Sequence, residues 1–294
     1  MGEISIDPKF NIHETYKKVR ILNPYRNSGA PSGTNDADAA NYLAAVGIIN
    51  DATVYYAGTP QEITGAAIYT AMNTFVGALK SEGVYAKLKA VYPLIGGNAG
   101  NHKWNLINPQ DTNAAHRMTW FGAGTHSNTG FKGDGATSYG DTMFVPIDNG
   151  VLGSESFGVY SRSLGAGTFF DFGVDFNFDS FMILHLNGNF YTRSQNTNYG
   201  LIQTSSANGL GFFGISRTST SIYYNQINGN STLINSTATG LPSLSYRIAR
   251  INAVNNYSTR EYAYIFIGEG LTETQMTAHY NAVQQLQTDL KRAV

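Results

Sequence analysis

Asp171, Asp175 and Asp179 recur at four-residue steps through a run in which Phe172, Val174, Phe176 and Phe178 fill the alternate positions. Carboxylates suit calcium, because hard cations prefer oxygen ligands. Along one strand, however, same-face side chains two apart stand about 6.5–7 Å apart, so aspartates four apart lie too far from each other to share one ion unaided. The run is read as a strand with a solvated acidic outer face. Glycan hydrolysis, the other chemistry of paired carboxylates, needs two of them facing one sugar at about 5–5.5 Å for retention and wider for inversion. Glu155 stands by itself, and Glu261, Glu269 and Glu273 fall on a predicted strand end, a turn and a helix start. No catalytic residue is assigned. The chain is expected not to be an enzyme, and polysaccharide depolymerase is the least favoured reading.

His102, His116 and His126 would form a zinc site if the fold gathered them, but their spacing matches no ligand motif. They are read as hydrogen-bonded histidines, and no metal or cofactor is assigned. No Gly-x-Ser-x-Gly elbow is present, and Gly122-Ala123-Gly124 lacks the βαβ setting of a dinucleotide loop. Aromatic rings with apolar faces and polar rims can stack on sugars. Trp104, Trp120, Tyr223 and Tyr224 are therefore the candidate glycan contacts. Strand parity sends Tyr223 and Tyr224 to opposite faces, so at most one belongs to a given surface.

Composition narrows the partners. Charged residues are 13% of the 294, with 32 Gly, 19 Tyr and 16 Phe, a pattern common in β-sandwiches and barrels. A formal net charge of −1 offers no general pull toward nucleic acid or an anionic membrane, so neither is expected as a partner. With no Cys, disulfides, thiolate zinc sites and a cysteine nucleophile are excluded. The start of the chain shows no signal-peptide core, Ile6 departs from the myristoylation pattern, and no apolar run reaches the length of a membrane span. A soluble protein made in a cytoplasm, or assembled there into a larger particle, is expected.

The elements that must position these residues change character near Gly96. Residues 1–34 hold Pro8, Pro24 and Pro31 but no period, and read as an extended anchoring arm whose apolar residues Phe10, Ile12, Tyr16, Val19 and Tyr25 are the candidate docking contacts. Residues 35–95 read as a small helical collar. Asp36 caps a helix that Gly47 ends; Ile68, Met72, Phe75 and Leu79 form a second helical face closed by Gly83; Val84, Leu88 and Val91 form a third, ended by Pro93. From Trp104 the period becomes two. Strands are predicted at 117–121, 156–162, 171–179, 181–186, 211–217, 221–226, 246–253 and 262–267, with hairpin turns at Asn187-Gly188 and Asn228-Gly229. Thr272 and Gln275 form a capping box for a last helix over 272–292, buried along Met276, Tyr280, Val283, Leu286 and Leu290. The expected fold is mainly β: a jelly-roll sandwich over 96–294, with the arm, the collar and the terminal helix attached.

The order Phe131-Lys132-Gly133-Asp134-Gly135, then 157–162, then Gly211-Phe212-Phe213-Gly214-Ile215-Ser216-Arg217, and last Ile265-Phe266-Ile267-Gly268 before a helix resembles a concanavalin A-like (laminin G-like) jelly roll. The block from Leu79 to Pro93, with Gly96-Gly97, His102-Lys103-Trp104-Asn105-Leu106, Pro109-Gln110-Asp111 and 125–130, resembles structural proteins of tailed bacteriophages, notably Bacteroidetes-infecting and crAss-like phages. The resemblance covers roughly residues 36–292 and implies a virion component: a head fibre, capsid decoration or tail-associated protein. It implies capsid, portal or tail subunits as partners, a homo-oligomer, and a virion location. A host-surface glycan is a further expected partner, and a carbohydrate-binding adhesin is the alternative. The family supplies no catalytic residues.

Overall fold

Asp36 sets the first helix. With its backbone extended, its side chain accepts from the amides of Asp38 and Ala39, and α1 (Ala37–Val46) runs to a left-handed Gly47. The computed structural model describes residues 35–164, 169–197, 202–206, 208–252 and 254–294. The candidate anchoring residues Phe10, Ile12, Tyr16, Val19 and Tyr25 lie outside them. A short ladder of β1 (Val54–Tyr55) and β2 (Ile63–Thr64) leads into α2 (Gly65–Ser81), which Thr64 caps and after which Gly83 adopts φ 63°. The terminal helix α3 (Glu273–Asp289) begins with the expected reciprocal capping box between Thr272 and Gln275.

Between these helices the chain builds two antiparallel sheets. The eight-stranded sheet contains β3 (Leu88–Tyr92), β5 (Thr125–Ser127), β6 (Gly130–Lys132), β8 (Glu155–Ser161), β13 (Gly211–Arg217), β14 (Ile222–Ile227), β15 (Asn230–Asn235) and β17 (Glu261–Gly268). Its order is β15-β14-β13-β8-β17-β6-β5, with β3 joined to β17 on the edge that β6 also uses. The seven-stranded sheet contains β4 (Thr119–Phe121), β7 (Tyr139–Asp141), β9 (Phe172–Phe176), β10 (Phe178–Leu186), β11 (Asn189–Asn196), β12 (Ile202–Ser205) and β16 (Arg247–Ile248), in the order β12-β11-β10-β9-β16-β7-β4.

Three layers result, as β17 shows by alternation. Tyr264 and Phe266 pack with Tyr42, Phe75, Met276 and Leu286 in a core between the sheet and the helices. Ile265 and Ile267 turn the other way and join Phe157, Phe213, Val174, Met182 and Ile248 in the core between the two sheets. The eight-stranded sheet is thus covered on both faces, which is why β8, β13 and β17 are buried almost throughout. A mainly β sandwich with antiparallel sheets and a C-terminal helix is the observed fold.

Three elements differ from the sequence reading. Leu88 and Val91 lie on a strand, not a helical face. Val91 joins the helix-side core while Ala90 and Tyr92 join the inter-sheet core, and a strand buried on both sides loses the alternation that would betray it. The helices of residues 35–95 consequently share one core with the sandwich and α3. Residues 171–179 are not one strand, because the chain reverses at Asn177 (φ 65°) and pairs β9 with β10. The strand expected at 246–253 stops at Ile248, since Ala249 takes φ 66°.

Candidate ligand-binding face

The outward face of the seven-stranded sheet gathers side chains that the sequence scatters. In the β4–β7 ladder Phe121 lies opposite Tyr139, and their rings stack at 4.7 Å and 12°. Their neighbours in the ladder, Trp120 and Gly140, turn inward, where Trp120 packs on the inter-sheet core. Phe121 remains 42% exposed.

Two arginines finish this platform. Arg247 pairs in register with Asp141 and donates from Nε to its Oδ2 at 3.0 Å. The guanidinium carbons of Arg247 and Arg250 each lie 5.0 Å from the Tyr139 ring centroid, and Arg250 is also 5.0 Å from that of Tyr257. Arg250 is fixed by three bonds: Nε to the Ile251 carbonyl at 3.0 Å, Nη1 to the Tyr257 hydroxyl at 3.0 Å and Nη2 to Asn255 at 3.1 Å. Arg247 also pairs with Gly173 of β9, where the sheet carries no side chain. A Cβ there would sit 2.4 Å from the Ser180 carbonyl oxygen, and φ is 148°. The result is a flat aromatic surface bordered by pre-oriented guanidinium donors. Such a surface can stack on the apolar face of a sugar ring while donating to its hydroxyls or carboxylate.

Farther along the same face lies an acidic pair. The reversal at Asn177 makes Asp175 and Asp179 direct cross-strand partners, and their carboxyl groups hydrogen-bond. Burial, then the bond to and the charge of Asp179, raise Asp175 to about 6, against the opposing Arg193. Arg193 forms an ion pair with Asp179 and lies 5.1 Å over the Phe181 ring. The solvated acidic face expected for 171–179 is therefore corrected: Asp179 is buried, Asp175 half-buried, and Asp171 lies within the protein. Asp171 accepts from the Tyr262 hydroxyl at 2.6 Å, Ser258 at 3.1 Å and the Leu184 amide at 2.8 Å, with Arg260 Nε 3.1 Å away. Burial raises its carboxyl, opposed first by Arg260. Glu155 is likewise interior: it accepts from the hydroxyls of Tyr246, Ser180 and Ser194.

The four aromatic candidates are not brought together. Tyr223 is fully buried, its hydroxyl 3.0 Å from Thr192 Oγ1, and burial pushes it up to about 12; it belongs to the inter-sheet core and not to a glycan surface. Tyr224 sits half-buried on the opposite side of β14, across from the exposed Leu233. Trp104 packs half-buried against the helix-side core with Lys103 Nζ 4.6 Å from its ring. Trp120 lies against Phe131 and His126.

Of the histidines, His102 and His126 meet Nδ1 to Nδ1 at 3.0 Å, while His116 contacts Phe144. The Gly97 amide donates to His102 Nε2, so His102 donates from Nδ1 to His126. Burial lowers His126 to about 4 and His102 well below its usual value. Among the described residues, no group of three or more His, Asp or Glu side chains is placed to hold a metal ion, and no helix is long and apolar enough to cross a membrane.

No protein-family model and no curated protein matches the chain. Solved structures do. A receptor binding domain matches with a TM-score of 0.50 at 15% identity, over 69% of this chain and 52% of its own. Trypanosoma rangeli sialidase in complex with sialic acid matches with a TM-score of 0.46 at 10% identity, over 75% and 39%. Domain 4 of AbnA, a GH43 arabinanase from Geobacillus stearothermophilus in complex with arabinotriose, matches with a TM-score of 0.42 at 15% identity, over 66% and 98%. The chain thus spans about half the length of the receptor binding domain and less of the sialidase. The similarity to the receptor binding domain agrees with the sandwich described above. The expectation that the chain is not an enzyme is corrected: structures of a sialidase and of a domain of an arabinanase are among those the chain matches.

The platform residues Phe121, Tyr139, Arg247, Arg250 and Tyr257 were not singled out from the sequence. Parity beside Trp120 identifies Phe121 as facing the other way. Tyr139 and the arginines meet only through the pairing of β7 with β16, which no local pattern encodes.

Proposed function

We propose that this chain is a recognition module of a tailed-phage virion, binding a host-surface glycan on the outward face of its seven-stranded sheet. The exposed Phe121 ring, backed by Tyr139 and bordered by Arg247 and Arg250, is the observation that carries the binding reading. Solvent-facing stacked rings beside fixed guanidinium groups are costly to leave wet and well suited to a sugar that offers both an apolar face and acceptors. The virion reading is supported by the resemblance through residues 79–130 and by the apolar, aperiodic composition of residues 1–34. In it, that arm holds the molecule to capsid, portal or tail subunits as a head fibre, decoration or tail-associated part. A homo-oligomer is the form such a part takes.

Titration of the full chain against surface polysaccharides and an oligosaccharide array tests the binding reading. Phe121→Ala should weaken the strongest interaction by about tenfold or more, in line with the loss of one stacking contact, while Tyr224→Ala leaves it unchanged. Equal affinity of the Phe121→Ala protein and the parent would refute the assignment. Anchoring is tested separately. Removing residues 2–33 should leave a folded protein that fails to join particles, and normal incorporation of the shortened chain would rule out the arm as anchor.

A further inference from the structure

The aromatic platform carries more positive charge than the residues around it neutralise. Arg247 and Arg250 each hold their guanidinium carbon 5.0 Å from the Tyr139 ring centroid, so the two carbons lie within about 10 Å of each other. The Phe121 ring, 4.7 Å from that of Tyr139, falls inside the same span. These separations do not exceed the screening length of about 10 Å at 0.1 M salt, so the two cations repel. One carboxylate answers them: Asp141 is buried and accepts from Arg247 Nε. Arg250 reaches no carboxylate among the described residues, and its three bonds go to a backbone carbonyl, a phenol and an amide, all neutral.

The donors are available as well as the charge. The two terminal nitrogens of Arg247 bond to no acceptor among the described residues, and neither is closed off from solvent. The other acids of this region are occupied. Asp179 pairs with Arg193, and Asp175 is bonded to Asp179 farther along β9. Asp134, in the turn before β7, accepts from the amides of Ala136, Thr137 and Ser138.

We infer that the sugar bound on this platform is anionic, its apolar face on Phe121 and Tyr139 and its carboxylate or sulfate group against Arg247 and Arg250. The inference rests on the binding face proposed above and adds the class of ligand. A guanidinium with free donors and no counter-ion holds an oxyanion through charge-assisted hydrogen bonds, about twice as strong as neutral ones. A neutral sugar would leave the surplus charge unanswered. Single-stranded nucleic acid also joins stacking bases to anions, but its binding draws on a groove of cations that tracks many phosphates. Two guanidinium groups on a chain of net charge −1 fit a charged sugar better than such a track.

Matched pairs of saccharides test this with the full chain: hexuronate oligosaccharides beside their carboxyl-reduced forms, and sulfated oligosaccharides beside their desulfated forms. In one of the two sets the acidic member should bind about tenfold more tightly or better, and that set identifies carboxylate or sulfate. Raising NaCl from about 0.05 to about 0.5 M should shrink the preference severalfold. Arg250→Gln should bring it close to parity, with an unchanged melting temperature showing that the variant is folded; the salt series needs no variant. Neutral members that bind as tightly as acidic ones, with binding still lost in Phe121→Ala, would overturn the inference and leave the platform reading standing. Absence of any Phe121-dependent binding would overturn both. A preference that persists at the higher salt or in the folded Arg250→Gln protein, or tighter binding of a single-stranded oligonucleotide than of every acidic saccharide, would overturn the inference alone.

Discussion

Asp175, opposite Asp179 across the β9–β10 reversal, makes this turn sensitive to pH. Asp175 is raised to about 6 in the folded protein by burial and by Asp179. A carboxyl raised above its unfolded value favours the fold while protonated, so this contribution is complete below about pH 4 and is lost as pH rises through 6. His279 acts in the opposite sense. It lies in the helix-side core beside Phe212 and Phe266, with its Nε2 2.8 Å from the Tyr264 hydroxyl, and burial lowers it to about 3. Its contribution is present above about pH 6.5 and is lost as pH falls toward 3, and His126 behaves alike toward 4. Asp175→Asn should therefore raise stability at pH 7.5 by about 1 kcal/mol, a figure reduced for solvent screening. It should also make stability climb more steeply between pH 4 and 6 than in the parent. Urea unfolding at several pH values checks both, and a parallel pH profile would remove Asp175 from the account.

Among the elements, those written in local chemistry were legible. Asn187-Gly188 and Asn228-Gly229 form the expected positive-φ turns, at φ 49° and 79° and at φ 47° and 85°. Asp36, Gly47 and the Thr272–Gln275 box delimit their helices as their residue types require. Asn177 was missed because the alternation of Phe and Asp passes unbroken through the reversal, so the period gives no sign of it. Leu88–Tyr92 was misread because covering on both faces erases its period. The reversal also brings Gly173 against Phe181, with no room for a side chain. Gly173→Ala should cost about 3 kcal/mol through overpacking and backbone strain. Thr272→Ala, which removes one helix cap, should cost about 1 kcal/mol. Thermal unfolding of the two variants would separate them, and a Gly173→Ala protein as stable as Thr272→Ala would show that the β9–β10 contact is looser than described.

For the whole molecule, the close of α3 is tied to the middle of the chain. Arg292 is buried, donating to the carbonyls of Pro93, Leu94 and Ala263 and to the side chain of Gln287, and it fixes the end of α3 to β17 and to the segment after β3. The helix layer therefore stiffens one sheet and leaves the outward face of the other to display Phe121, Tyr139, Arg247 and Arg250. That display was not legible in the sequence, because it depends on which strands pair across a jelly roll. Residue type alone does not separate Tyr223, which packing buries fully, from Trp104 and Trp120, which are half-buried against the two cores. Hydrogen exchange of the full chain with and without a bound oligosaccharide tests the display most directly. The account predicts new protection confined to 119–121, 139–141 and 247–257. Protection elsewhere on the protein, with these three segments unchanged under saturating ligand, would contradict it.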